Sequence, residues 1–146
     1  MTAVYTIGFT KKSAEAFFES IQRAKIKRLL DVRLNNSSQL AAFSKKEDLS
    51  YFLKAICDVE YIHLPLLAPT KDMLEDYKKH NGNWNSYAEK FIALMQNRKI
   101  EESLDRHLFD VPCVLLCSEA SADHCHRRLV VEYLQGAWGN ITVQHL

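Results

Sequence analysis

Residues 111–134 read VPCVLLCSEASADHCHRRLVVEYL, and this order of apolar run, polar break and one-sided helix narrows the choice of fold more than any other part of the chain. The run 111–116 is short and carries β-branched residues, which suits a strand covered on both faces. Cys117, Ser118 and Glu119 then fall where that strand ends. Ser121 and Asp123 offer N-capping side chains to a helix expected to begin near His124. From Leu129 onward the apolar positions 129, 130, 133 and 134 share one helical face, so the helix can lie back on the sheet. A strand followed by a returning helix is the repeating unit of open α/β sheets, whose ligands bind beyond the carboxyl ends of the strands.

The rest of the chain keeps the same alternation. A strand is expected over 3–7, ended by a turn at Gly8, Phe9 and Thr10. Ser13 then precedes AEAFFESIQRAK, in which Phe17, Ile21 and Ala24 recur at helical spacing. Residues 27–33 (KRLLDVR) have an apolar centre and a charged tip, with Asp31 and Arg33 on one side of the strand. A polar turn at Asn35, Asn36, Ser37 and Ser38 leads to a helix over 46–57, with Leu49, Phe52, Leu53 and Ile56 on one face. A strand over 59–64 stops at Pro65. Thr70 can cap a short helix through Tyr77, ended by Asn81, Gly82 and Asn83. Further helices are expected over 84–100 and 101–108, a turn over 136–140 and a last strand over 141–146. The expectation is one α/β domain over 1–146, with a mostly parallel sheet of about five strands between helical layers.

At 146 residues, 47% apolar and 25% charged, the chain has material for one core and no room for a second domain. No apolar stretch approaches the roughly 20 residues that span a bilayer, and MTAVYTIGFTKK has too short an apolar run for a secretory signal. A cytoplasmic location without a membrane partner is therefore expected, with Cys57, Cys113, Cys117 and Cys125 reduced. A formal charge of +1 gives no global attraction to nucleic acid. Trp84, Tyr87 and Trp138 read as packing residues rather than a base-stacking platform. Any anion site must be local, and nothing in the pattern specifies an oligomeric state.

The strand ends carry the candidate chemistry. On a parallel sheet, Gly8, Asp31 with Arg33, His63, and Cys117 with Glu119 converge on one edge, or else Asp31 and Arg33 form an ion pair that only ties neighbouring loops together. Cys117 is the candidate nucleophile, its thiolate favoured by Arg127, by His124 or His126, or by a helix N-terminus. Cys57 and Cys113 read as buried small hydrophobes. Glu119 is the candidate proton carrier or substrate-orienting carboxylate. Position 123 is Asp, so the Cys-x5-Arg anion loop of tyrosine phosphatases is not matched. Arg127 and Arg128 in the first helical turn oppose the macrodipole, which makes sense if an anion sits there, or if they pair with Asp123 or Glu119. Gly8 would let backbone or ligand approach closely, or would supply a turn. Stepping back from Leu129 leaves Cys125 and His126 near the margin of the buried face and Arg127 outside it. Cys125 is thus expected to be buried and structural, with His126 or Arg127 reaching the loop after Cys117.

Cys117, His124, Cys125 and His126 also suggest a metal box, with His63 or His145 as a further ligand. The spacing lacks a zinc knuckle, and adjacent residues on a helix point about 100° apart, so a metal is not favoured and the cofactor stays open.

With these residues in hand, the chain resembles the bacterial and archaeal domain-of-unknown-function family 488. The matching segments are TIGFT at 6–10, DVR at 31–33, YIHLPLLAPTK at 61–71, LLCSE at 115–119, CHRR at 125–128 and the closing VQHL. They run through essentially the whole length. Many relatives have TIGHS at the first motif and a proline after DVR; this chain has Phe9 and Asn36 there. The resemblance implies a compact α/β domain with a site at these motifs and brings no reaction with it.

The leading expectation is a small cytoplasmic enzyme that binds an anionic, nucleotide-like ligand at the carboxyl edge of the sheet. Cys117 and Glu119 would be catalytic, and Gly8, Asp31, Arg33, His63, His126 and Arg127 would bind the ligand. The alternative is a non-catalytic ligand-binding or thiol- or metal-sensing module.

Overall fold

In a computed structural model, residues 2–35, 42–79, 82–119 and 122–146 are described. Strands β1 (Thr2–Gly8), β2 (Arg28–Asp31), β3 (Glu60–His63), β4 (Cys113–Cys117) and β5 (Ile141–His145) form one sheet in the order β3-β2-β4-β1-β5. Every neighbouring pair is parallel. The helices are α1 (Ala14–Arg23), α2 (Lys46–Phe52), α3 (Lys71–Lys79), α4 (Trp84–Asn97), α5 (Ile100–Ser103) and α6 (His126–Trp138).

Alternation along β4 shows why the sheet is covered twice. Val114 and Leu116 face a core made with Phe17, Phe18 and Ile21 of α1 and Leu49 of α2. Cys113, Leu115 and Cys117 face the opposite core, with Phe91 and Met95 of α4 and Leu129, Val130 and Leu134 of α6. This is the three-layer α/β domain expected from the alternating pattern. The helix after β2 packs on one face and the helix after β4 on the other, although β2 and β4 are neighbours. The strand order therefore reverses beside β4, and a crevice opens at its carboxyl end.

Local capping follows the sequence at several ends. Ser13 Oγ accepts from Ala16 N at 3.1 Å, and Thr70 Oγ1 accepts from Met73 N at 3.2 Å. Several boundaries differ. The helix expected over 101–108 is only the single turn Ile100–Ser103, followed after Leu104 and Asp105 by a 3-10 turn over Arg106–Phe109. The helix expected over 46–57 gives way after Phe52 to a π-helical turn, Leu53–Cys57, closed by Asp58 at φ 55°. That extra residue per turn rotates Ile56 out of the expected apolar face, leaving it 48% exposed. The helix α6 continues through Gly136 to Trp138, so the expected turn is shorter. It starts at His126 rather than His124, with Cys125 rather than Asp123 in the extended N-cap position. Asn36, Ser37, Ser38, Asn81 and Ser121 lie outside the described residues.

Candidate functional site

Asp31 is the last residue of β2, and the chain turns so that Arg33 folds back onto it. Arg33 Nε donates to Asp31 Oδ1 at 2.9 Å and Arg33 NH2 to Oδ2 at 2.8 Å, a bidentate pair buried on both sides. The Arg33 backbone N–H also donates to Asp31 Oδ1, and the Tyr61 hydroxyl donates to Oδ2. The guanidinium lies 5.3 Å from the centre of the Phe9 ring. One nitrogen, Arg33 NH1, is buried without a hydrogen-bond partner among the described residues. Two imidazoles fix the loop that follows: His63 Nε2 donates to Arg33 O at 2.9 Å and His126 Nε2 to Val32 O at 2.7 Å.

Cys117 ends β4. Because His126 Nε2 carries the proton that Val32 O accepts, Nδ1 presents a lone pair, and it lies 3.5 Å from Cys117 Sγ. The Cys117 thiol is held below its ordinary range. A hydrogen bond from the Cys125 thiol contributes most, and the Ser118 and Glu119 backbone N–H groups and the Arg127 charge add to it, together outweighing burial. Cys125 is pushed up, by donating to Cys117 and by burial. The sulfurs of Cys117 and Cys125 and a ring nitrogen of His126 lie within 4.8 Å of one another.

Arg127 is 1% exposed, contrary to its expected place outside the buried face. With α6 starting at His126, its guanidinium points under the β4 loop and is solvated by protein: NH1 donates to Glu119 O at 2.5 Å and Nε to Thr6 Oγ1 at 3.3 Å. Thr6 in turn donates to His145 Nδ1 at 2.5 Å. Burial and the Arg127 charge hold His145 below the ordinary imidazole range. Among the described residues no carboxylate forms an ion pair with Arg127. Gly8, paired with Cys117 across the sheet, is what lets the loop sit there. A Cβ on Gly8 would lie 1.6 Å from Glu119 O and 2.7 Å from Arg127 NH1. The need is for space, since among the described glycines positive φ occurs only at Gly139.

Above this floor is a cavity of about 110 Å³, lined by Arg33, Cys117, Glu119, Cys125 and His126, with Tyr77, Lys78, Tyr87 and His124 on the α3, α4 and α6 side. It has room for the head group of a small molecule. Of the residues picked from sequence, Arg33, Cys117, Glu119 and His126 line it. Asp31 and His63 stand behind, bracing Arg33, while Gly8 and Arg127 lie beneath and do not line it. The Glu119 carboxylate pairs with Lys78, not Arg127.

Sequence reading missed Lys78, Tyr61 and Thr6, and read Tyr87 as a packing residue without placing it at the cavity. Lys78 and Tyr87 come from distant helices and carry no local signal, whereas Thr6 and Tyr61 sit inside quoted motifs at strand ends. One of the two reasons for disfavouring a metal also falls, although the missing zinc knuckle stands: Cys125 has extended backbone, φ −134° and ψ 140°, so helical spacing does not separate it from His126.

A family model described as "Domain of unknown function DUF488" matches residues 13–134. That span holds Arg33, His63, Cys117, Glu119 and the CHRR motif, and leaves TIGFT and VQHL outside it. No curated protein and no solved structure matches the chain.

Proposed function

Since the chain belongs to the family of unknown function DUF488, no reaction is inherited, and we propose from the cavity itself that this is a small enzyme acting on a compact anionic ligand through the Cys117 thiol. The observation that carries this reading is that one cavity is lined by Cys117, beside His126 Nδ1, and by Arg33, whose buried NH1 has no hydrogen-bond partner among the described residues. A buried guanidinium N–H left unmade is costly, and a ligand oxygen that accepts from it removes that cost. Lys78 adds a second positive charge, with Glu119 holding it in place. Glu119 is thus a rim carboxylate that orients Lys78, and His126 takes the proton role first given to Glu119.

In the proposed step the thiol proton passes to His126 Nδ1 and the sulfur lone pair attacks the electrophilic atom. A bond to sulfur forms, and the leaving group departs with its electron pair and collects the proton from His126. Four free cysteines fit a reducing setting.

Iodoacetate and iodoacetamide test the anion preference, because they deliver the same carbon electrophile with and without a carboxylate. A charge-assisted hydrogen bond is worth about 1.5–3 kcal/mol. The iodoacetate-to-iodoacetamide rate ratio at Cys117 should therefore exceed that of free cysteine by roughly tenfold or more. Lys78→Met should lower the ratio without unfolding the protein. A ratio no higher than that of free cysteine would contradict an anion-binding cavity.

A further inference from the structure

The three groups at the back of the cavity have an arrangement that an alkylation reaction does not require. Cys117 Sγ, Cys125 Sγ and a His126 ring nitrogen each offer one donor atom, all three residues are buried, and the atoms lie within 4.8 Å of one another. Around a tetrahedral zinc ion, bond lengths of about 2.3 Å to sulfur and 2.0–2.1 Å to nitrogen put sulfur and nitrogen roughly 3.5 Å apart. The Cys117 Sγ to His126 Nδ1 distance is 3.5 Å.

The surroundings fit as well. His126 Nε2 donates to Val32 O at 2.7 Å, which fixes the tautomer with a lone pair on Nδ1, as an outer carbonyl does for a metal-bound histidine. Arg127 NH1 lies 3.9 Å from Cys125 Sγ as a donor to the second sulfur. All three ligands line the cavity, so a fourth coordination position would face it. Two thiolates balance a divalent charge, and the soft donor set selects against magnesium and calcium.

We propose that Cys117, Cys125 and His126 form a three-ligand site for a soft divalent cation of the zinc class, whose occupancy masks the Cys117 thiol. The masking rests on the reading of Cys117 as the reacting group; the binding does not.

The test is titration of chelator-stripped full-length protein with cobalt(II) and with zinc(II). One equivalent of cobalt should develop a thiolate-to-cobalt charge-transfer band and the visible bands of a tetrahedral ion, and one equivalent of zinc should displace it. Cys125→Ser should weaken binding by at least about a hundredfold, beyond the 10–100-fold typical for losing a supporting group. Cys57→Ser should leave the spectrum unchanged. Zinc should slow alkylation of Cys117 by at least tenfold, reversibly with chelator.

A featureless cobalt titration of wild-type protein, or an unaltered band in folded Cys125→Ser, would overturn the site. If no metal binds while Cys117 still prefers iodoacetate, the metal inference fails and the enzyme reading stands. If zinc binds to the trio but metal-free Cys117 is inert to both reagents, the enzyme reading and the masking fail and the metal site stands.

Discussion

Gly8→Ala is expected to lower the stability of the protein by about 4 kcal/mol or more, in the range reserved for strong steric or burial defects. The added Cβ would meet Glu119 O at 1.6 Å and Glu119 C at 2.6 Å, backbone atoms that cannot rotate away. Relief requires the loop after Cys117 to lift, and lifting it withdraws the carbonyl that Arg127 NH1 donates to. A buried guanidinium then loses a main acceptor, and the Ser118 and Glu119 N–H groups leave the Cys117 sulfur. Urea unfolding with circular dichroism measures the first effect. Loss of preferential Cys117 alkylation in whatever folds measures the second. A shift below about 1 kcal/mol would mean that the strand end and loop are not held as tightly as described.

Asp31→Ala is the other large effect, about 3–5 kcal/mol of destabilisation, because it leaves Arg33 charged, buried and unpaired. The Tyr61 hydroxyl also loses its acceptor. The double variant Asp31→Leu with Arg33→Met should recover much of that loss, since removing both members of a buried pair is often close to neutral. It should not recover the iodoacetate preference, because Arg33 NH1 is gone. Unfolding midpoints and alkylation ratios of the single and double variants separate the two roles. If Asp31→Ala alone were neutral, the pair would not be the brace inferred from its geometry.

The parts of this fold that were legible in the sequence are those set by neighbours in the chain. The run CVLLC reads as a two-faced buried strand because every second side chain enters a different core. Ser13 and Thr70 read as caps because an N-cap acts over three residues. The Asp31–Arg33 pair was visible as an alternation of two. Strand order was not legible, since placing β4 between β2 and β1 depends on packing across the sheet. The start of α6 was misplaced by two residues, and that error hid both the burial of Arg127 and the closeness of Cys125 to His126. Several capping side chains were available, and local preference could not choose among them. The Lys78 partner of Glu119 is 41 residues away on another element, and only the tertiary fold brings it there.

The most direct test of the Cys117 assignment is the order in which the four thiols of native, metal-free protein react with a limiting amount of iodoacetamide, mapped by mass spectrometry. Cys57, expected to be buried like Cys113, is only half-buried at the end of the π-helical turn and is the most accessible of the four, but burial raises its thiol. Burial pushes Cys113 up to about 11, and Cys125 is raised by its bond to Cys117. Cys117 should be labelled first although it is only 6% exposed, with the others slower by at least roughly tenfold. Labelling of Cys57 or Cys125 ahead of Cys117, with Cys117 inert until the protein unfolds, would contradict it.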